Sequence, residues 1–167
     1  MVEAFNDIVL PTDKARRYAA VAEEIASVLN GEPNVVARMA TVSSMLANSF
    51  TQFFWTGFYV VDHTRIDELV VGPYQGTLGC MRIAFGRGVC GTAAATQMTQ
   101  VVEDVHAYPG HIACDGRSAS EIVVPVFGHD GRLIAVFDVD SDHPAAFDDV
   151  DKEWLEQILY RTFSAAA

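Results

Sequence analysis

Hydrophobic and polar positions recur with two different periods along this chain, and the difference predicts where helices and strands lie. Apolar residues return every three or four positions over residues 15–29 and 34–50, which is typical of amphipathic helices. Residues 30–33, Asn-Gly-Glu-Pro, separate the two, because glycine and proline end one helix and allow the next to begin. A third helical pattern, over residues 147–163, begins at an acidic cluster that suits a helix N-terminus.

Apolar runs rich in β-branched and aromatic residues lie between these helices and predict strands. The predicted strands are residues 54–61, 68–71, 81–85, 121–127 and 133–140. A short helix is predicted over residues 89–97, and residues 104–119 are too polar and broken to form a regular element. We therefore expect residues 1–167 to form a single domain of the α+β class, with a mostly antiparallel sheet flanked by N- and C-terminal helices.

A two-residue turn at Asp130-Gly131 predicts how the last two strands pair, because Asp-Gly is a strong hairpin signal. With these residues at the centre of the turn, Glu121 lies directly opposite Asp140. Pro125, inside the first of the two strands, implies an edge or a bulge that could shift this register.

Three acidic residues gather in this register at one end of an otherwise apolar hairpin face. Asp138 and Asp140 are two residues apart in a strand and therefore share that face with Glu121. The apolar residues predicted for the same face are Val123, Phe127, Ile134 and Val136. Facing like charges destabilise a sheet. The cluster is therefore either a strand end that runs into solvent, or a site whose crowded carboxylates raise one another's pKa until one holds a proton.

Composition narrows the class of protein. The 167-residue chain is half apolar and carries a formal net charge of −11, which repels nucleic acid and anionic membrane surfaces. The N-terminal segment lacks a basic region and a long apolar region, and no stretch approaches the roughly 18 apolar residues of a membrane span. We therefore expect a cytoplasmic protein with no nucleic-acid and no membrane partner. In that reducing compartment an odd count of three cysteines argues against a structural disulfide framework.

Two patterns of common cofactor sites are present but incomplete. Residues 86–91 match a dinucleotide fingerprint, yet the following acids, Glu103 and Asp104, come too early and the helix is too short for that fold. The set that could ligate a metal is Asp104, His106, His111 and Cys114. This set lacks the paired spacings of structural or catalytic zinc sites. We expect neither a metal nor an organic cofactor.

The three cysteines differ in their predicted reactivity. Cys90 falls in the first turn of a predicted helix, where the macrodipole favours a thiolate. Cys114 lies in the irregular segment beside Asp115, whose charge opposes thiolate formation. Local electrostatics therefore rank Cys90 as the more acidic thiol. Cys80, taken alone, fits a buried small hydrophobic residue.

Five motifs that contain these cysteines and acids form a specific combination. They are Gln75-Gly76-x3-Cys80, Ile83-Ala84-x-Gly86-x-Gly88-Val89-Cys90-Gly91, His111-Ile112-Ala113-Cys114-Asp115, Ser120-Glu121-Ile122-Val123 and Asp138-Val139-Asp140-Ser141. Together, over nearly the whole chain, they resemble the free methionine-(R)-sulfoxide reductases, enzymes built on a GAF domain. The resemblance implies reduction of free L-methionine-(R)-sulfoxide to methionine by thiol chemistry, through a sulfenic acid and a disulfide, without a cofactor.

The resemblance also assigns roles to individual residues. Cys114 is the nucleophile, Cys80 the principal resolving thiol, and Cys90 a further participant. Glu121, Asp138 and Asp140 hold the substrate and the sulfoxide oxygen, while Trp55 and Tyr59 form the wall of the methyl pocket. The choice of Cys114 differs from the electrostatic ranking, and we follow it because attack depends on position at the substrate as well as on pKa.

The expected partners are free methionine sulfoxide and a thioredoxin-like reductant. The sequence leaves the oligomeric state open, including a homodimer. The rival hypothesis is a non-catalytic GAF-type sensor that binds a small molecule or responds to oxidation through its thiols. Most GAF domains are attached to output domains, and the lack of one here favours a self-contained enzyme.

Overall fold

The structure, a computed structural model, describes residues 13–112 and 114–165. Its helices are α1 (Lys14–Val28), α2 (Val35–Ser49), α3 (Gly88–Thr96) and α4 (Asp149–Leu159). The side chains of Asp13, Asn34 and Asp148 cap the N-termini of α1, α2 and α4 by accepting backbone N–H bonds, as short polar residues do there. In the described part of the chain, no helix is both long and apolar enough to cross a bilayer.

The strands within these residues form one sheet. They are β1 (Trp55–Val61), β2 (Glu68–Gln75), β3 (Arg82–Ala84), β4 (Gln100–Val102), β5 (Ser120–Phe127) and β6 (Leu133–Ser141). Their order is β3-β2-β1-β6-β5-β4, and every neighbouring pair is antiparallel. The predicted α+β class, with an antiparallel sheet flanked by helices, is confirmed. The extension of a single domain over residues 1–167 stays a prediction, since residues 1–12, 113, 166 and 167 lie outside the described ones.

The two faces of the sheet build two separate cores, because side chains alternate along each strand. One face packs against α1, α2 and α4 and contains aromatic residues such as Phe58 and Phe137. The opposite face packs against α3 and contains Trp55, Tyr59 and Val136. The acidic end of the β5–β6 hairpin belongs to this second face, so α3 and the irregular segments cover it.

The register predicted at the acidic end of the hairpin is confirmed, but the predicted turn is wrong. Glu121 pairs with Asp140. At the other end, Gly131 N donates to Gly128 O and Gly128 N donates to Arg132 O, both at 2.9 Å. Gly131 has a φ of 76°, so the chain makes a three-residue loop closed by a left-handed glycine, and not a two-residue turn.

This longer loop also changes one predicted neighbour of the acids. The register shifts between Val126 and Phe127, which leaves Ile134 as the extra residue on β6. Ile134 packs against the core formed with α1, α2 and α4, so its predicted place on the acidic face is wrong. Pro125 is not the cause of the shift, because it stays in register opposite Val136.

Candidate active site

A cavity opens at the end of the sheet that bears the three acids, between α3 and two irregular loops. We call residues 76–81 the Cys80 loop and the described residues 108–112 and 114–119 the Cys114 loop. Most of the predicted site residues line the cavity: Trp55, Tyr59, Cys90, Cys114, Glu121, Asp138 and Asp140. The remaining one, Cys80, is bonded to Cys114. The structure therefore brings all eight predicted site residues together in one place.

A disulfide joins the two loops at the rim of this cavity. Cys80 and Cys114 are bonded with their Cα atoms 5.5 Å apart, and they are the pair that the family resemblance implies. Cys114 is exposed and Cys80 is half-buried. A disulfide at the mouth of a cavity is accessible to a reducing partner, which a buried structural bond is not.

Cys90 is in a different environment, and the expectation that its place in the first turn of α3 favours a thiolate is wrong. Its buried thiol lies in the first turn of α3 and contacts Glu121 Oε1 at 4.0 Å as a weak donor. Burial, and then the nearby Asp138 and Glu121, raise the pKa of Cys90 well above its ordinary value. A helix dipole contributes only about 0.3–1 kcal/mol, so desolvation and the carboxylates outweigh it.

This environment predicts that the Cys90 thiol reacts slowly with alkylating reagents. In the oxidised protein Cys90 is the free cysteine among the three, so iodoacetamide labelling at pH 7.5 reports on it alone. We expect labelling at least about tenfold slower than that of a small free thiol, because the reactive thiolate is disfavoured and covered. Labelling in urea provides the control, where the rate should return to that of the free thiol. A native rate equal to the rate in urea contradicts this description of Cys90.

The three carboxyl groups occupy adjacent positions on β5 and β6. Glu121 faces Asp140 across the ladder, and Asp138 faces Gly57 of β1 on its other side. Glu121 and Asp138 are each only 5% exposed, so the alternative of a strand end that runs into solvent does not fit them. Asp138 Oδ1 has no hydrogen-bond partner among the described residues. A buried unpaired acceptor is costly, and a donor on a ligand can satisfy it.

Burial sets the protonation of this cluster. It is the main cause that raises the pKa of Glu121 and of Asp138 well above the ordinary range, and the charge of Asp140 adds to it. For Asp140, burial raises the pKa to about 6, against the opposing effects of Ser118 and His111. The cluster therefore holds at least one proton at neutral pH, as crowded buried carboxyls do.

Two further residues of the cavity, Ser118 and His111, were not assigned to it from the sequence. The Ser118 hydroxyl donates to Asp140 Oδ1, and His111 Nε2 lies 3.5 Å from Glu121 Oε2. The signal that could have identified both is their position in the loop that leads into the acidic end of β5. Next to the cavity, Tyr74 stacks on Trp55 and backs the aromatic wall.

The aromatic wall follows from the alternation along β1. Trp55 and Tyr59 share a face and stack with ring centroids 5.5 Å apart, and Tyr74 of β2 stacks on Trp55 at 5.0 Å. Burial is the main cause that raises the pKa of Tyr59, which therefore stays a neutral phenol. Trp55 and Tyr59 form an apolar part of the cavity beside the carboxyl groups on the same face of the sheet, which suits a ligand with one apolar and one polar end.

The structure does not bring together the four residues that the sequence offered as metal ligands, Asp104, His106, His111 and Cys114. The Asp104 side chain accepts from His106 N at 2.9 Å at the start of the 3-10 turn Val105–Ala107, and neither residue lines the cavity, whereas His111 and Cys114 do. Among the described residues, the potential ligand atoms that cluster are those of Cys90, Glu121 and Asp138, within 4.8 Å of one another. Two members of this group, Glu121 and Asp138, are also acids of the predicted substrate site.

Comparisons with known proteins agree with this fold and site. The family model described as GAF domain matches residues 39–162, so the fold is that of a GAF domain. The chain is 41% identical over 147 residues to the free methionine-R-sulfoxide reductase of Escherichia coli, covering 88% of this chain and 87% of that protein. It is 45% identical to the enzyme of the same name from Saccharomyces cerevisiae, covering 77% and 74% of the two chains.

A solved structure gives the same result. The X-ray structure of the free methionine-R-sulfoxide reductase from Neisseria meningitidis, in complex with its substrate, superposes with a TM-score of 0.85 at 50% identity, covering 90% of each chain. The chain belongs to the free methionine-R-sulfoxide reductase family of GAF domain proteins. The resemblance found in the sequence motifs is thereby confirmed.

Proposed function

We propose that this protein reduces free L-methionine-(R)-sulfoxide to L-methionine by thiol chemistry. The observation that carries the proposal is the Cys80–Cys114 disulfide at the rim of a cavity lined by proton-holding carboxyls. The family membership and the substrate complex of the Neisseria relative support it. Overall, one sulfoxide and two thiols become one thioether, one disulfide and one water, so no cofactor is needed to balance the reaction.

We assign the first step to Cys114 and the carboxyl cluster. The Cys114 thiolate attacks the sulfoxide sulfur, and a cluster carboxyl protonates the oxygen, which is a poor leaving group without a proton. Oxygen passes to sulfur of Cys114, which becomes a sulfenic acid, and methionine is released. The sulfoxide gains two electrons and Cys114 loses two. The raised pKa values of Glu121 and Asp138 favour this step, because they keep a proton available at neutral pH.

The second step restores a stable oxidation state. The Cys80 thiol attacks the sulfenic sulfur of Cys114, the disulfide forms, and the oxygen leaves as water. We propose that a thioredoxin-like dithiol in the cytoplasm then reduces the exposed disulfide. Cys90 is a less suitable resolving thiol in this arrangement, because its pKa is raised and it is buried against Glu121.

We place the substrate's charged ends at the polar side of the cavity. The ammonium group suits the unpaired Asp138 Oδ1, and the methyl group suits the wall formed by Trp55 and Tyr59. A site that pairs charged ends loses much of its transition-state binding when those ends are absent. The free amino acid therefore fits this cavity better than a methionine sulfoxide residue inside a peptide.

This placement predicts a strong preference for the free substrate. Reduced protein should convert free L-methionine-(R)-sulfoxide about 100-fold or more efficiently than the same sulfoxide within a capped tripeptide. The S epimer should also react poorly, because its oxygen points away from the carboxyls when the methyl group occupies the aromatic wall. Methionine formation, measured by chromatography, checks both. Equal rates for the free and the peptide-embedded sulfoxide would contradict the placement.

The rival sensor hypothesis has less support than the reductase. A coupled assay separates the two: thioredoxin, thioredoxin reductase, NADPH and methionine sulfoxide are mixed with the protein, and NADPH consumption is followed at 340 nm. The reductase hypothesis requires consumption that depends on both the protein and the sulfoxide. A sensor would bind the ligand without turnover.

A further inference from the structure

The two loops that carry the disulfide cysteines are also tied together by a hydrogen bond between side chains. The hydroxyl of Thr77, in the Cys80 loop, donates to Asp115 Oδ2 at 2.7 Å. Asp115 directly follows Cys114 in the chain. This bond therefore joins the two loops close to both sulfur atoms, and it does so independently of the covalent bond.

Thr77 itself is fixed on the aromatic wall. Its backbone oxygen accepts a hydrogen bond from Trp55 Nε1 at 3.0 Å. Two residues further along the loop, Gly79 packs so closely that a Cβ atom there would lie 2.9 Å from both Trp55 Cζ2 and Tyr59 Oη. The Cys80 loop is thus positioned against β1.

Asp115 is fixed from the other side. Arg117 donates to both of its carboxylate oxygens, through Nε at 3.1 Å and Nη2 at 2.8 Å, and through its backbone N at 3.0 Å. The guanidinium lies 5.2 Å from the ring centroid of Phe54, the residue before β1. These bonds, with that from Thr77, hold the pKa of Asp115 well below its ordinary value. Asp115 is therefore a constant charged acceptor, oriented by a fork-shaped donor.

We propose that Thr77 and Asp115 are positioning residues whose hydrogen bond holds the Cys80 and Cys114 loops together for disulfide closure. This inference rests on the proposed function. In the step concerned, the Cys80 sulfur bonds to the Cys114 sulfur, the S–O bond of the sulfenic acid breaks, and the oxygen leaves as water with the Cys80 proton. Cys80 is oxidised and the sulfenic sulfur is reduced, with no outside reactant. The rate of such an internal step depends on how well the two groups are held together.

Thr77→Val tests this directly, since valine keeps the shape of threonine but removes the donor. Thr77→Ser is the matched control, because it keeps the hydroxyl. Each fully reduced protein receives one equivalent of free L-methionine-(R)-sulfoxide without a reductant. Methionine release is followed by rapid quench, and the sulfenic acid of Cys114 is trapped with dimedone and quantified by mass spectrometry.

For Thr77→Val we expect disulfide closure about 2- to 10-fold slower, from the loss of one hydrogen bond to a charged acceptor. Methionine release should be unchanged, and more dimedone adduct should accumulate. Thr77→Ser should behave as the wild type. Closure at the wild-type rate in Thr77→Val, equal slowing of both steps, or slowing by Thr77→Ser to the same extent would each overturn the proposal.

A second measurement does not depend on the reductase activity. The equilibrium of the Cys80–Cys114 pair with reduced and oxidised glutathione should shift about 2- to 10-fold towards the dithiol in Thr77→Val, because the lost bond no longer supports the closed form. If this shift occurs but no variant forms methionine, the proposed function fails and the positioning role stands. If methionine forms and the equilibrium is unchanged, the positioning role fails alone.

Discussion

Replacing Cys114 with serine is expected to abolish methionine formation even in a single turnover. The substitution removes the sulfur that attacks the sulfoxide, and a serine hydroxyl is not ionised at neutral pH. Loss of a catalytic nucleophile costs on the order of 10⁴- to 10⁶-fold in other enzymes. The experiment is a rapid-quench assay of methionine, with reduced protein in excess over sulfoxide. The family resemblance implies Cys114 as the nucleophile, and its disulfide with Cys80 at the rim of the cavity is consistent with that role.

Cys80→Ser provides the matched control for this result. It should release about one methionine per protein and then recycle poorly with thioredoxin, because a nucleophile remains but the resolving thiol is lost. Cys90→Ser should retain the first turnover, because the Cys90 thiol is buried against Glu121 and Asp138 and does not lie at the rim with the disulfide. A Cys114→Ser protein that keeps the burst, together with a Cys90→Ser protein that loses it, would contradict the assignment of the nucleophile.

The second large effect is expected from the carboxyl pair across the hairpin. Glu121→Gln and Asp140→Asn should each lower the single-turnover rate about 100- to 10,000-fold, the usual cost of losing a positioned proton donor. Asp138→Asn should weaken substrate affinity more than it slows the chemical step, if this residue mainly holds the ammonium group. Single-turnover rates as a function of sulfoxide concentration separate the two effects for all three variants.

The same variants should keep or gain stability. Where both facing carboxyls are ionised, removing one of the two like charges relieves repulsion on the order of 0.2–1 kcal/mol, and where one holds a proton the amide replaces a neutral group. The folded state raises the pKa of Asp140 to about 6 from an ordinary value of 3.8, so the folded protein binds more protons than the unfolded one between these values. The contribution of protonated Asp140 to the free energy of unfolding is therefore fully present below pH 3.8 and is lost as pH rises through about 6.

Asp140→Asn should therefore raise the thermal midpoint relative to wild type more at pH 7.5 than at pH 4.5. Differential scanning fluorimetry at the two pH values checks this sign. The single-turnover rate should fall as rising pH removes the proton of the cluster. The pH at which it falls should change in the variants, because the coupled carboxyls titrate as a unit. Destabilised variants with near-normal turnover would mean that these acids are structural.

Much of this site was predictable because strand alternation and hairpin register are local properties. Asp138 and Asp140 share a face from their spacing alone, and the opposition of Glu121 to Asp140 follows from where the turn lies. The register survived an incorrect turn type because the extra residue, Ile134, lies on the turn side of the acids. The shift therefore affected only the far end of the hairpin.

The features that the sequence did not predict depend on tertiary contacts. The acidity of Cys90 could not be read from its place in a helix, because burial and two carboxyls from other strands decide it. The contribution of Ser118 also depends on how the Cys114 loop folds over β6, which no local pattern shows. Cys114 was selected by resemblance to a family, whereas local electrostatics alone selected Cys90, a buried thiol whose pKa is raised.

Each sulfoxide that Cys114 reduces should lead to one Cys80–Cys114 disulfide, because the sulfenic acid formed in the first step is resolved by Cys80 in the second. The most direct test adds excess free L-methionine-(R)-sulfoxide to fully reduced protein without any reductant, then counts methionine and maps the disulfide by mass spectrometry of peptides. We expect about one methionine per protein, the loss of two thiols, and a Cys80–Cys114 linked peptide in matching amount. Methionine formed without loss of thiols, or a disulfide that forms without methionine, would contradict it.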